Sequence, residues 1–247
     1  MSSPVEQQVR IDTDDGPMPA HLWLPPAGTG PALVLVQEIF GVSSYIRDRG
    51  RDLAELGYVV CAPEIYWRLP DADIDESDPK VLERAMSLAS RLDWPAAVRD
   101  VQATLRHVRG LSVVDGGVGL IGFCFGGGLA FHVAAVDDVE VLVSYYGSAL
   151  GDLTHLAADI DAPSLHHFGT ADAFIPAETI ERVRAAVTAH GAQFETYEGA
   201  NHAFDNPLPA FHHPPAAAAA WEVTTRFLNH HLPPGRTVGL PPSRTKG

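Results

Sequence analysis

Residues 119–131, GLIGFCFGGGLAF, constrain this chain more than any other stretch. A short apolar run meets a glycine-flanked turn, and a second apolar run follows with glycines in its first turn. The pattern reads as a buried strand turning sharply into a helix, with Cys124 at the apex. The turn needs glycine at 122 and 126, because side chains two residues either side of the apex would collide with neighbouring elements. A strand that is apolar on both faces belongs inside a parallel sheet. The turn then exposes Cys124 at that sheet's carboxyl edge.

The rest of the chain supplies neighbours for that strand. PALVLV (31–36) and YVVCAP (58–63) are continuous apolar runs of the same kind. VEQQVRIDT and PAHLWLP flank the turn signal Asp14-Asp15-Gly16-Pro17 and read as an opening hairpin. Helical spacing runs through YIRDRGRDLAELG to a capping Gly57, and through 79–109 with an interruption at Trp94-Pro95. It returns from Phe125 to Ala135, from Pro176 to Gly191 and from Pro215 to His231. VEVLVSYYG, PSLHHFGT and AQFETYEGA read as strands, the first two separated by a loop. Strands alternating with helices predict an α/β fold: a mostly parallel sheet with helices on both faces and N-terminal antiparallel strands. One domain is expected over residues 1–232. DADIDESD (71–78) reads as a solvated loop, and 233–247, rich in Pro, Gly and Arg, as a flexible extension.

Charge and cysteine usage narrow the partners. A formal net charge of -14 argues against nucleic acid and against anionic membrane surfaces. The N-terminus lacks a basic region followed by an apolar run, and no run approaches the roughly 18 apolar residues of a membrane span. Two cysteines do not make a secreted disulfide framework. The expectation is a cytoplasmic monomer acting on a small molecule.

The apex residue then defines a site. A helix starting directly after Cys124 points its N-terminus at the thiol and favours thiolate. In a fold with this turn, catalytic residues follow strands in the order nucleophile, acid, base. Asp172, in GTADAFIP, and His202, in ANHAFDNP, occupy the second and third places. Taken singly, Cys124 could be structural and Asp172 a turn residue; the three in order favour a triad. Glu38 directly follows the strand 31–36 and lies at the same edge. The N–H groups of Ile39 and Phe125 are candidates for an oxyanion hole. His166 and His167 are strand neighbours that point to opposite faces, so a shared metal is not expected.

QEIFGV, GFCFGG, GTADAFIP and ANHAFDNP together resemble the dienelactone hydrolase family, within the α/β-hydrolase fold. The resemblance spans roughly residues 5–232. It implies Cys124 as nucleophile, with Asp172 and His202 completing the triad, and no cofactor. It also implies that Glu38 holds the resting thiol and activates it when substrate arrives, with an oxyanion hole at Ile39 and Phe125. Family members that hydrolyse dienelactone grip its carboxylate with two arginines. Those positions match Asn206, beside Asp205, and Leu82, while a nearby tyrosine matches Met86. Arg84, Tyr145 and Phe204 are expected to contact substrate, and Arg84 or Arg68 to compensate for the missing arginines.

A thiol nucleophile also biases the chemistry. A thiolate, with a pKa near 8.5, leaves a tetrahedral intermediate more readily than an alkoxide near 16. Forward collapse therefore favours stabilised leaving groups, as in enol lactones and activated esters. Two other readings compete: a binding module that kept the pocket and lost the chemistry, and a thiol redox protein, which needs a resolving cysteine.

Overall fold

Among the described residues eight strands form one sheet, in the order β1-β2-β4-β3-β5-β6-β7-β8. The computed structural model describes residues 3–235, so the expected extension lies outside the described residues from 236 onward. β1 (Val5–Thr13) and β2 (Gly16–Leu24) form the opening hairpin, and β2 also runs antiparallel to β4 (Val59–Pro63). β3 (Gly30–Val36), β5 (Val114–Phe123), β6 (Leu142–Tyr145), β7 (Ser164–Gly169) and β8 (Gln193–Tyr197) complete the sheet, and every pair from β4 to β8 is parallel. Every residue of β3 and β4 is buried, which is why both read as unbroken apolar runs. β8, at the edge, is exposed or half-buried throughout and carries Gln193, Glu195 and Thr196.

The helices begin and end where local chemistry dictates. α1 (Ser44–Glu55) is capped by the Ser43 hydroxyl, which accepts from Ile46 N–H. α2 (Val81–Ser90) and α3 (Trp94–Arg109) divide the 79–109 segment. Asp93 caps α3 by accepting from Ala96 N–H at 3.0 Å. Pro95 falls in the first turn, where its missing N–H has no helical partner to lose, so Trp94-Pro95 starts a helix. α4 (Phe125–Val136) leaves directly from Cys124. The expected loop between β6 and β7 contains α5 (Leu150–Leu153) and a 3₁₀ helix (Thr154–Asp159), which bury Leu150 and Ala157. α6 (Ala177–Thr188) precedes β8, and α7 (Pro214–His231) follows it.

β3 has β4 on one side and β5 on the other. The connections out of β3 and β5 therefore diverge and leave a crevice beyond the carboxyl ends of the strands. Glu38 lies just past β3, Cys124 just past β5, Asp172 past β7 and His202 past β8.

Candidate active site

Cys124 holds φ 54° and ψ −122°, a backbone state that non-glycine residues rarely adopt. Strain of about 1–3 kcal/mol is typical of such a residue and persists only where its surroundings enforce it. Here the Cys124 N–H donates to Tyr145 C=O at 3.0 Å, and its C=O accepts from Gly127 N–H at 3.0 Å and Ser148 N–H at 3.1 Å. The flanking glycines are steric requirements. A β-carbon at 122 would lie 2.1 Å from the Gly126 oxygen, and one at 126 would lie 2.2 Å from the Gln37 oxygen and 2.4 Å from that of Val36.

The three expected residues meet in one chain of contacts. His202 Nε2 lies 3.0 Å from Cys124 Sγ, and His202 Nδ1 lies 2.8 Å from Asp172 Oδ2. Asp172 Oδ1 accepts from the N–H groups of Phe174 and Ile175 at 2.8 and 2.9 Å, so the carboxylate is fixed by its own turn. An acceptor at Nδ1 keeps a proton on that nitrogen and turns Nε2 toward sulfur. Burial opposes charge on His202, but the Cys124 sulfur and Asp172 outweigh it and raise the imidazole to about 10. Asn201 Oδ1 accepts from Ala173 N–H at 2.8 Å and from His202 N–H at 2.7 Å, joining the two loops. The spacing of motifs gave no hint of that bridge, although Asn beside a functional histidine is the residue type that makes it.

Glu38 is buried at the base of the same crevice. Its Oε1 accepts from Asn206 Nδ2 at 2.9 Å. Burial drives Glu38 up to about 8 against the pull of that bond. The thiol sulfur is paired with His202, and the Glu38 carboxyl with Asn206. Behind them, Asp205 accepts from Tyr45 Oη at 2.5 Å and from Arg49 Nε at 2.8 Å, and Arg49 stacks over Trp221.

A cavity of about 330 Å³ opens above Cys124. Ile39, Phe125, Glu38 and His202 line it around the sulfur. Phe125 is the first residue of α4, so its N–H has no intrahelical acceptor. Leu82, Met86 and Ala89, at i, i+4 and i+7, present one face of α2 to the cavity. That stripe is visible in the sequence as a helical face, but only the fold shows that it covers a cavity.

Three expected substrate contacts do not line this cavity. Arg84 turns outward, and its guanidinium donates to the carbonyls of Asp73 and Asp71 at 3.0 and 2.9 Å beside a separate surface hollow. Tyr145 is fully buried and bonds Thr224 at 2.7 Å; Phe204 is buried among Tyr145, Tyr146 and Tyr197. Arg68 is also engaged elsewhere, 2.8 Å from both Asp100 and Asp15. Cys61 lies buried on β4 with β3 between it and the β5 strand, and burial raises its thiol to about 12. His166 and His167 do point apart: one packs on Phe131 and Phe194, the other bonds Tyr197 and Thr224.

An eight-stranded sheet of this order, with a strained apex residue after its fifth strand, is an α/β-hydrolase architecture. The family model described as "Dienelactone hydrolase family" matches residues 18–232, and the chain belongs to that family. It is similar to the carboxymethylenebutenolidase of Pseudomonas sp. strain P51, 34% identical over 221 residues, which cover 89% of this chain and 92% of the relative. The carboxymethylenebutenolidase of Pseudomonas putida is 34% identical over 206 residues, 83% of this chain and 87% of the relative. Among solved structures, a Klebsiella pneumoniae protein provisionally described as a dienelactone hydrolase superposes with a TM-score of 0.80 at 29% identity. That match covers 92% of this chain and 98% of the other. The protein is accordingly a hydrolase of the class acting on esters or lactones.

Proposed function

We propose that the chain hydrolyses small lactones of the enol type, or activated esters, by a Cys124-His202-Asp172 triad through an acyl-thioester. Cys124 sulfur attacks the substrate carbonyl carbon. His202 carries the thiol proton, and the N–H groups of Ile39 and Phe125 stabilise the oxyanion. The carbon–oxygen bond to the leaving group breaks, and the departing enolate, phenolate or alkoxide takes the proton from His202. Water, deprotonated by His202, then attacks the thioester, and the carboxylic acid leaves as the Cys124 sulfur is restored. In a lactone, the leaving oxygen stays tethered to the acyl group. Glu38 and Asn206 brace the crevice floor beside the sulfur. The reading includes action in the cytoplasm, where two free thiols, Cys61 and Cys124, stay reduced.

The single observation that carries this reading is the pair of contacts at His202, 3.0 Å to Cys124 Sγ and 2.8 Å to Asp172 Oδ2, opening onto one cavity. p-Nitrophenyl acetate tests it. Cys124→Ala is expected to abolish turnover, and mass spectrometry of the wild type to trap an acyl adduct on Cys124. Unchanged turnover in Cys124→Ala sinks the proposal.

A further inference from the structure

We infer that the cavity above Cys124 takes uncharged, apolar acyl groups and turns away substrates carrying a free carboxylate. The inference rests on the catalytic reading above and names the substrate class for that site. Leu82 and Met86 from α2, with Trp94, Phe174 and Phe211, make the walls, and among the described residues no lysine or arginine lines the cavity. Three arginines of neighbouring segments are engaged: Arg84 with backbone carbonyls, Arg68 with Asp100 and Asp15, Arg49 with Asp205. The ionisable groups in the lining are Glu38, Cys124 and His202. His202 is already matched to Asp172, so a substrate carboxylate would leave water without a cation of its own.

Glu38 supports the same conclusion. Its hydrogen-bond partner, Asn206, is a neutral amide that brings no charge to the crevice floor. The cavity is at the small end of ligand sites, which suits one ring or a short chain. Its rim is apolar as well: Met86 and Phe174 are each 51% exposed and line the opening.

Two p-nitrophenyl esters of matched acyl length separate the cases: the pentanoate, ending in methyl, and the monoglutarate, ending in carboxylate. Wild-type kcat/KM is expected to favour the pentanoate by about 100-fold, the scale of an unpaired charge entering an apolar site. Leu82→Arg is expected to narrow that ratio about tenfold by adding a cation to the wall. Equal rates, or a preference for the monoglutarate, overturn the inference. Binding to Cys124→Ala tests the cavity apart from the chemistry, using coumarin and coumarin-3-carboxylate followed by fluorescence. Tighter binding of coumarin supports the inference, and equal or tighter binding of the carboxylate overturns it. Ester turnover that survives Cys124→Ala defeats the catalytic reading instead, whichever coumarin binds.

Discussion

Asn206 donates its amide N–H to Glu38 Oε1 across 2.9 Å, and both residues are 1% exposed. The bond ties the loop after β8, which carries His202, to the loop after β3, which carries Ile39. Asn206 Oδ1 in turn accepts from Leu208 N–H at 2.9 Å, so one side chain anchors both loops. Asn206→Leu removes both bonds and leaves a buried carboxyl oxygen without its donor. A loss of about 1–3 kcal/mol is expected in urea unfolding. An unchanged midpoint would show that the bond contributes nothing net.

Glu38 should leave a signature in stability against pH. In the fold its carboxyl keeps a proton to about 8, whereas the unfolded chain releases it near the ordinary value of 4.5. Its contribution is therefore fully present below pH 4.5 and is lost as pH rises toward 8. Glu38→Gln does not ionise, so it should be no more stable than the wild type at pH 4. At pH 8 it should be more stable, by on the order of 2–4 kcal/mol. Denaturant titrations at both pH values give the comparison, and a constant difference would refute the assignment.

Asp172→Asn keeps the shape of the His202 partner and removes its charge. A fall in kcat/KM of about 10³–10⁴-fold is expected from a wrongly held imidazole. Because Asp172 raises His202, the ring should also titrate lower than about 10 in the variant. NMR titration of His202 reads this directly; an unmoved value would assign the shift to Cys124 alone.

Asp205 and Arg49 form an ion pair whose carboxylate side is wholly covered. Asp205→Ala leaves the guanidinium with Asp52 alone and the Tyr45 hydroxyl with that of Tyr146, at a cost of about 1–3 kcal/mol. Arg49→Met together with Asp205→Asn should cost less than the two single changes summed. Strict additivity in thermal unfolding would mean that the pair is not coupled.

His166 is fully buried, and neither ring nitrogen has a hydrogen-bond partner. Burial depresses it to about 3, so its contribution is present above the ordinary value of 6.5 and is lost as pH falls toward 3. His166→Leu should raise stability by about 1–2 kcal/mol at neutral pH, because two unpaired polar atoms leave the core. The gain should widen at pH 4. Calorimetry that finds the variant weaker at both pH values would show that the ring's packing outweighs its polarity.

The order of strands and helices was legible because the sheet is buried on both faces. PALVLV and YVVCAP carry no polar residue to confuse the reading, and Gly122 and Gly126 mark the apex by what they lack. Cys124, Asp172 and His202 were legible because each follows a strand within five residues, where the fold leaves little freedom of position. The cavity walls were not. Arg84 and Leu82 are two residues apart on α2 and therefore face different directions. Only the rotation of that helix decides that Leu82 meets the cavity while Arg84 binds backbone carbonyls. Tyr145 sits one residue past Ser144 on a strand whose two faces are equally covered, so no polar alternation reveals which way it points.

Gly126 lets α4 seat directly on the carbonyls that end β3. Sulfur and the Phe125 N–H thus hang from the buried junction of β5 and α4, while α2 and the 207–213 segment only roof it. Amide exchange at residues 120–128 should proceed only through global unfolding, whereas α2 should open far more often on its own. Such a division lets descendants of one ancestor trade roofs, and hence diets, without rebuilding the reaction centre beneath.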